Sequence, residues 1–471
     1  MTTTRQPSAP QARRPDPVSR ARAAASVAAS VAAPPRTTPP RIAPAKPGST
    51  RAALAKPVPG APARAPRPAI AVVPVRRIFA AENRNYFLLL GTTLFLVAFG
   101  LVMVLSASSI ESYTSDDGFF GRFVRQGLYA VIGIPLMLVA SRMPARFWKR
   151  WAWPALLAGG TLQLLVFTGL GFDYGGNRNW ISIGGFNAQP SEFVKIALIV
   201  WVAWVLSTKQ DLLGDWKHLA LPIAPVASVA IGFVLIGNDL GTAFIMLMIV
   251  LGCMYFAGVR IKFIFAAVAG IGLVGMLFAV ASDSRTSRIS AWLNGCTPEN
   301  SAGYCWQPEH ANWALAAGGL FGRGLGNSTA KWNWLPEADN DFIFAIIGEE
   351  LGLIGAIVVL VLFIVLAIAF VRVIRSTRDT FARIATSGVM VWVIGQAFVN
   401  IAVVLGVLPV LGVPLPLISA GGSALISTLL GIGVVLSFAR QTDKDRATAP
   451  VAQTPAERSR MVAAQRLRSR E

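Results

Sequence analysis

Apolar stretches long enough to cross a membrane recur between residues 86 and 438, and short polar segments separate them. An α-helix needs about 20 mostly apolar residues to span the hydrocarbon core of a bilayer. The pattern predicts spanning helices at residues 86–106, 127–140, 153–170, 193–206, 219–236, 241–258, 263–281, 342–371, 384–405 and 417–438. The second and fourth stretches are short and need flanking residues to span, whereas the eighth is long enough to begin outside the bilayer or to tilt. The prediction is an all-α, polytopic integral membrane protein with about ten transmembrane helices.

The basic residues of the short loops indicate the orientation of these helices. Arginine and lysine follow the second, fourth, sixth and eighth stretches, for example at Arg146, Lys209, Arg260 and Arg375. Because positively charged loops favour the cytoplasmic side, both termini are predicted to be cytoplasmic. The same rule places the large loop of residues 282–341, between helices 7 and 8, outside the cytoplasm.

Composition sets the limits of the membrane domain. Of 471 residues, 54% are hydrophobic and 14% are charged, which excludes an ordinary soluble protein. The net charge of +20 does not indicate nucleic-acid binding, because the basic residues lie mostly in the two ends and the short loops. Residues 1–80 are predicted to be a disordered, basic, Pro/Ala-rich cytoplasmic arm, followed by a membrane domain (81–440) and a basic cytoplasmic tail (441–471). The arm either tethers the domain or contacts anionic lipids or a cytoplasmic partner.

Several polar residues stand at the edges of the predicted helices. Gln189-Pro190-Ser191-Glu192 is typical of a helix start, with Ser191 able to cap it. Lys195, one turn later, either pairs with Glu192 or holds a phosphate, and otherwise extends back to water. Asp239 caps the sixth helix or contributes a carboxylate to a cavity.

The large loop and the helix after it carry the remaining charges. Arg285 and Arg288 suit a diphosphate, since guanidinium groups bind phosphoryl oxygens in bidentate fashion. Glu349 follows Asp341 by eight residues and is expected near the same helix face, while Glu350 is rotated by about 100°. Buried carboxylates at membrane depth are costly, so at least one should face a basic partner or water.

Two features leave structural alternatives open. Prolines and glycines from Pro409 to Ser423 predict either a substrate-facing re-entrant turn or a kinked helix start. Cys296 and Cys305 of the large loop either form a disulfide or remain free thiols, whereas Cys253 lies in an apolar stretch and is expected to pack there.

Three strings carry a resemblance to a known family. They are Asn177 to Lys195, Gly324 to Gly352 with its Asp-Phe-Ile-Phe-Ala-Ile-Ile-Gly-Glu-Glu-Leu-Gly run, and Gly406 to Ser423. These strings resemble the SEDS family (shape, elongation, division and sporulation), and its cell-division branch more than its elongation branch. No Walker loop, dinucleotide fingerprint, His-Glu-x-x-His or Cys-x-x-Cys pair accompanies them.

The resemblance implies a peptidoglycan glycosyltransferase that polymerises lipid II on the outer face of the bacterial cytoplasmic membrane, at the division septum. It also implies other divisome proteins and a single-span class B penicillin-binding transpeptidase as partners. The family's presumed base is a loop aspartate; here Glu299 is its nearest counterpart. Asp339 stands where the family often has His, and Ala420 where it often has Tyr.

The implied reaction is an inverting transfer. Glu299 would deprotonate the acceptor 4-hydroxyl, and undecaprenyl diphosphate would leave. Arg285, Arg288 and Lys195, or a divalent cation (Mg or Mn) whose ligands the sequence leaves unknown, would offset the diphosphate charge. The alternatives are a lipid II flippase or other lipid carrier, and a divisome scaffold without catalytic activity.

The substrate is expected to contact polar and glycine positions of the same strings and of the large loop. These are Arg178, Gln189, Ser191, Glu192, Lys195, Asp239, Arg285, Arg288, Gln307, Lys331, Asp341, Glu349, Asn400, Ser419, Gly421, Gly422 and Ser423.

Overall fold

The computed structural model describes residues 84–114, 118–174, 177–183, 186–280, 283–295, 303, 305–332 and 334–448. The predicted arm (1–80) lies outside the described residues, as do the tail beyond residue 448, Cys296 and Glu299. Within the described part, ten helices correspond to the predicted spans. They are α1 (Arg84–Thr114), α2 (Gly121–Ala140), α3 (Ala145–Leu165), α4 (Pro190–Thr208), α5 (Trp216–Ile236), α6 (Leu240–Phe256), α7 (Ile261–Val280), α10 (Ile343–Ser376), α11 (Thr380–Val404) and α12 (Gly422–Thr448).

The loop between α7 and α10 adds two shorter helices, α8 (Asp283–Asn294) and α9 (Trp306–Gly318). Seven of the described helices are long and apolar enough to cross a membrane, and α6 and the first part of α7 are shorter apolar helices. The all-α polytopic fold is therefore confirmed. The two short predicted spans take up flanking residues, since α2 begins at Gly121 and α4 at Pro190.

A small antiparallel sheet lies between α3 and α4, where the sequence analysis predicted no strands. Its order is β1 (Gly171–Tyr174), β2 (Asn177–Ile183) and β3 (Phe186–Ala188). Ile181 pairs with Ala188, and the Arg178 N–H donates to the Gly237 carbonyl at the end of α5. The sheet thus connects α3 to the start of α4 and contacts the end of α5.

Helices α4, α11 and α12 form the most enclosed part of the bundle. In α4, 78% of an 18-residue apolar window is buried, and the same share is buried in α12. Helix α4 packs against α3, α6 and α11, while α12 packs along α2. Polar side chains on α4, α11 and α12 are consequently shielded from lipid.

Helix α10 is broken at Gly352, whose φ of 69° and ψ of −168° are not helical. The segment after α9 enters this break and forms the backbone hydrogen bonds that the helix loses. Its Arg323 and Gly324 N–H groups donate to the carbonyls of Glu349 and Glu350, and its Gly319 carbonyl accepts from the Leu353 N–H at 2.9 Å. Irregular backbone at membrane depth is tolerated where protein groups satisfy it in this way.

The chain between α11 and α12 is not helical from Leu405 to Gly421, although Val413 and Leu415–Ser419 are buried. Helix α12 begins at Gly422, five residues later than the predicted span. Pro414 and Pro416 cannot donate helical hydrogen bonds, and Leu417 has a φ of 68°. The structure thus has a buried, non-helical segment here and not a kinked helix start, and we call residues 405–421 the re-entrant segment.

Candidate functional site

A buried ion pair lies near the start of α4. The Lys195 Nζ is 2.8 Å from Glu192 Oε1, and the two side chains are 1% and 2% exposed. Lys195 also donates to Gln396 Oε1 of α11 at 3.2 Å and lies 4.7 Å from the centre of the Trp392 ring. Ser427 of α12 donates to the second Glu192 oxygen at 3.1 Å. One lysine and one glutamate therefore connect three buried helices.

Asp239 extends this network to α6. Its Oδ1 accepts the Thr242 N–H at 2.8 Å and so caps the helix, while its Oδ2 accepts from Gln189 Nε2 at 2.9 Å. The Gln189 N–H donates to Ser423 Oγ at 3.1 Å. Burial raises the pKa of the Asp239 carboxyl. Asp239 thus serves as a cap and also lies beside the buried pair.

Asn400 and Ser419 bind the backbone of the re-entrant segment. The Asn400 amide donates to the carbonyls of Asp341 and Val413, at 2.7 and 2.8 Å. The Ser419 hydroxyl donates to the Asn340 carbonyl at 2.6 Å and accepts the Leu415 N–H at 2.8 Å. Both side chains join the re-entrant segment to the turn that precedes α10.

Asp341, in that turn, has a buried oxygen, Oδ1, without a hydrogen-bond partner among the described residues. Burial, together with the negative charges of Glu337, Asp239 and Asp339, raises its pKa to about 8. Ser191 Oγ and Asn400 Oδ1 are likewise buried without a described partner. Buried polar atoms of this kind are normally satisfied, so these three atoms are available to a polar ligand.

We call this group the polar cluster. It consists of Gln189, Ser191, Glu192, Lys195, Asp239, Asp341, Gln396, Asn400, Ser419, Ser423 and Ser427.

The sequence analysis missed a second charged group beside the re-entrant segment. Arg122 of α2 pairs with Asp339 at 2.7 Å and also with Glu111 of α1. The Asp339 carbonyl accepts the Ala420 N–H at 2.8 Å. The sequence did hold a signal for Arg122. The second predicted span (127–140) was too short to cross a membrane, so its helix had to extend toward Arg122.

Gln396 and Ser427 were also missed. Gln396 lies one helical turn before Asn400 in an otherwise apolar span, and this spacing places two amides on one face. Its Oε1 accepts from Lys195 and Trp392, and its Nε2 donates to the Pro414 carbonyl at 2.8 Å. The amide pair was therefore a readable signal.

The expectation that Ser191 caps α4 was wrong. The cap position is Gln189, without a side-chain cap bond, and Pro190 occupies the first turn. Proline is favoured at the first helical position because its missing N–H costs nothing there. The helix therefore begins before Ser191.

Glu349 and Glu350 lie outside the polar cluster, and the expectation that Glu349 shares a helix face with Asp341 was wrong. Asp341 precedes the first helical residue, so helical spacing does not relate the two. Glu349 accepts from Ser328 Oγ at 2.5 Å, from Thr329 N and Oγ1 at 2.9 and 2.7 Å, and from Arg323 at 3.3 Å.

Glu350 is held by the same loop. It accepts from Ser106 Oγ of α1 at 2.6 Å and from Lys331 Nζ at 3.3 Å, and Lys331 also donates to the Gly326 carbonyl at 2.6 Å. Both glutamates and Lys331 therefore hold the Arg323–Lys331 loop against the broken helix α10, which is a structural role.

The other predicted substrate-binding residues are not members of the polar cluster. Arg178 of β2 donates to the carbonyls of Val166 and Thr168. Arg288 is exposed on α8, Arg285 lies on the same helix with no described side-chain placement, and Gln307 is partly buried on α9. The Gly421 N–H donates to Gln126 Oε1 at 3.1 Å, and Gly422 packs against the Tyr129 ring.

Two of the three cysteines fall within the described residues. Cys305 is disulfide-bonded, and Cys253 is a buried free thiol. The predicted partner of Cys305, Cys296, lies outside the described residues. Within the described part of the chain, no three His, Cys, Asp or Glu side chains are grouped to hold a metal ion.

Known proteins match the membrane domain of this chain. The sequence model of the FtsW, RodA and SpoVE family, described as cell cycle protein, matches residues 86–444. A probable peptidoglycan glycosyltransferase FtsW of Mycobacterium tuberculosis is 38% identical over 357 residues, covering 76% of this chain and 68% of that protein. The stage V sporulation protein E of Bacillus subtilis is 36% identical over 357 residues, covering 75% of this chain and 96% of that protein.

Solved structures share the fold. The rod-shape-determining protein RodA of Thermus thermophilus, in a mutant form, aligns with a TM-score of 0.55 and 26% identity, covering 78% of this chain and 98% of that chain. A chain from a peptidoglycan synthase complex aligns with a TM-score of 0.61 and 24% identity, covering 75% and 97%. The family predicted from the three strings is confirmed: the chain belongs to the FtsW, RodA and SpoVE family of membrane-embedded cell cycle proteins.

Proposed function

We propose that this chain is a peptidoglycan glycosyltransferase that polymerises lipid II on the outer face of the cytoplasmic membrane. The observation that carries the proposal is the polar cluster, which places a buried lysine, two buried carboxylates and unpartnered polar atoms inside an apolar helical bundle. Membrane proteins retain such costly groups at functional sites. Relatives named probable peptidoglycan glycosyltransferase FtsW support the same activity.

The cluster suits the saccharide end of a lipid-linked substrate. Sugar hydroxyl and acetamide groups donate hydrogen bonds, and Ser191 Oγ and Asn400 Oδ1 are acceptors without described partners. Lys195 supplies positive charge next to Glu192. The apolar bundle around the cluster excludes water, which strengthens every electrostatic contact within it.

In the proposed reaction, the 4-hydroxyl oxygen of the acceptor sugar attacks the anomeric carbon of the donor. The bond from that carbon to the diphosphate oxygen breaks, and undecaprenyl diphosphate leaves with the electron pair. Glu299 takes the hydroxyl proton, and one displacement inverts the configuration. Arg285 and Arg288 of α8 and Lys195 are proposed to offset the diphosphate charge.

Polymerisation by purified protein tests the proposal. Wild-type protein in detergent with lipid II should form glycan polymer, and Glu299→Gln should not, while both unfold at the same temperature. Glu309→Gln, another acid of the same loop, is the matched control and should retain activity. Wild-type activity of Glu299→Gln would show that another acid is the base.

The same preparation separates the alternative functions. If the wild type forms no polymer but moves lipid II between leaflets of a vesicle, the chain is a carrier. If it does neither, a scaffold role is favoured. The septal location and the partnership with a single-span class B penicillin-binding transpeptidase are proposed on family membership, and co-purification of the transpeptidase from membranes tests the latter.

A further inference from the structure

A pocket lies in the large loop, and none of its lining residues belongs to the polar cluster. It has a volume of about 390 Å³, within the range of small-ligand sites. Helix α9 forms one wall, and Arg323 together with Thr329, Ala330 and Trp334 forms the other. We call it the aromatic pocket, and it is lined by His310, Trp313, Ala314, Ala317, Arg323, Thr329, Ala330 and Trp334.

Aromatic rings dominate this pocket. Trp306, His310 and Trp334 stack on one another, with Trp306 and Trp334 inclined by only 12° and His310 4.0 Å from the Trp306 ring centre. The Trp306 indole N–H donates to the Trp334 carbonyl at 2.8 Å, which fixes the stack. Trp313 and Trp334 are nevertheless 61% and 55% exposed. Fixed and exposed indole faces lose little entropy on binding a flat apolar surface.

The pocket also offers specific polar groups. His310 Nδ1 lies 2.8 Å from the Trp306 carbonyl, so Nδ1 carries a proton and Nε2 is an acceptor in the neutral ring. The His310 side chain is 94% buried, and its Nε2 has no hydrogen-bond partner among the described residues. Arg323 lines the opposite wall, where one nitrogen binds both Thr329 and Glu349.

We propose that the aromatic pocket binds an N-acetylated amino sugar of the glycan strand. The C–H faces of a pyranose ring are apolar and stack on indole rings, while its hydroxyl and acetamide groups meet a histidine acceptor and arginine donors. An anionic ligand fits less well, because the guanidinium of Arg323 is already paired with Glu349. The proposal rests on the proposed function and extends it with a second saccharide site on the loop.

The aromatic pocket shares residues with the loop that binds the broken helix α10. Arg323 and Thr329 line it and also bind Glu349. A strand held there would stay bound between transfers instead of dissociating after each one. The site therefore affects the length of the product more than the rate of a single transfer.

The test compares tryptophans inside and outside the pocket. The variants are Trp313→Ala and Trp334→Ala, and the matched control is Trp332→Ala, a neighbouring tryptophan that is 60% exposed and does not line the pocket. A fluorescent peptidoglycan tetrasaccharide without peptide stems is titrated into full-length protein that also carries Glu299→Gln, so binding is read without turnover. We expect binding weakened by on the order of tenfold in the two pocket variants and unchanged in the control.

A fold check accompanies the titration. Trp313→Phe keeps a ring at the same place and should recover most of the binding, and labelling of buried Cys253 on heating verifies that each variant is folded. Equal affinity of wild type and pocket variants overturns the inference, as does equal weakening by Trp332→Ala. Binding only of probes that carry peptide stems overturns it also.

Product length separates this proposal from the proposed function. With lipid II and catalytically intact protein, Trp313→Ala should release shorter strands than the wild type, and Trp332→Ala should release strands of wild-type length. Failure of the wild type to polymerise, with tetrasaccharide binding that depends on Trp313, would refute the glycosyltransferase and retain the pocket. Polymerisation with no effect of Trp313 on binding or length would do the opposite.

Discussion

Lys195 and Glu192 are charged residues that almost no solvent reaches, and each depends on the other. Glu192 also accepts a hydrogen bond from Ser427, and Lys195 also donates one to Gln396. Removing one member of a buried pair strands the other charge, whereas removing both often costs little. The pair can therefore be tested for structural and functional roles separately.

We expect Lys195→Met to lower the free energy of unfolding by about 3–5 kcal/mol. The double variant Glu192→Gln/Lys195→Met should recover most of that loss, measured by thermal unfolding in detergent. If Lys195 also serves the substrate, the double variant will be stable and inactive with lipid II. A stable and fully active double variant would limit the pair to a structural role.

Asp341 gives the fold a defined pH dependence. Its pKa is raised from 3.8 to about 8 in the folded protein. Between these pH values the folded protein keeps a proton that the unfolded chain has released, so the free energy of unfolding falls as pH rises. Below pH 3.8 and above about pH 8 this group makes no pH-dependent contribution.

We expect Asp341→Asn to remove this component, because an amide does not titrate. Unfolding temperatures measured by Cys253 labelling at a series of pH values from 5 to 8.5 should decline less steeply in the variant than in wild type. Asp211→Asn, an exposed carboxyl, should keep the wild-type slope. An unchanged slope in Asp341→Asn would place the proton elsewhere.

At the scale of elements, the break in α10 depends on one glycine. A Cβ at position 352 would lie 2.4 Å from the Gly322 nitrogen and 2.5 Å from the Leu320 carbonyl oxygen, and its φ is positive. Both atoms belong to the backbone of the Gly319–Gly324 segment that enters the break, so a side-chain rotation cannot relieve the clash. The break and the segment therefore require each other.

Gly352→Ala should lower stability by at least about 2–3 kcal/mol and reduce the yield of folded protein. Gly91→Ala in α1, where an added Cβ meets nothing within 4 Å, is the matched control and should unfold at the wild-type temperature or above. Thermal unfolding of both variants in the same detergent is the measurement. Wild-type stability of Gly352→Ala would mean that the inserted segment can shift.

The lengths of the apolar stretches predicted the helices well, whereas the irregular elements were predicted poorly. Apolar runs determine where a chain crosses a membrane, so the ten spans follow from sequence. The filling of the α10 break by Gly319–Gly324 depends on hydrogen bonds between segments far apart in the chain, and no local pattern encodes them. Prolines indicated the re-entrant segment, but its partners, Asn400 and Asp341, emerge only from packing.

For the whole molecule, the site is divided between the bundle and the loop. Gln189 at the start of α4 connects Asp239, at the start of α6, to Ser423, at the start of α12. Their residue types could be singled out from sequence. Glu349 and Lys331 could not be assigned correctly, since only the fold shows that they bind the loop instead of facing the polar cluster.

The proposed mechanism requires the polar cluster to face the outside, and the two ends of α4 provide a direct test. Asn187 and Asp211 are exposed on opposite sides of this 19-residue helix, which is roughly 28 Å long. In a background with Cys296→Ser and Cys305→Ser, buried Cys253 should not react. A membrane-impermeant maleimide should label Asn187→Cys in intact cells and Asp211→Cys only after permeabilisation, because the basic loops hold the Asp211 side in the cytoplasm. The reverse pattern would place the polar cluster on the cytoplasmic side and contradict polymerisation on the outer face.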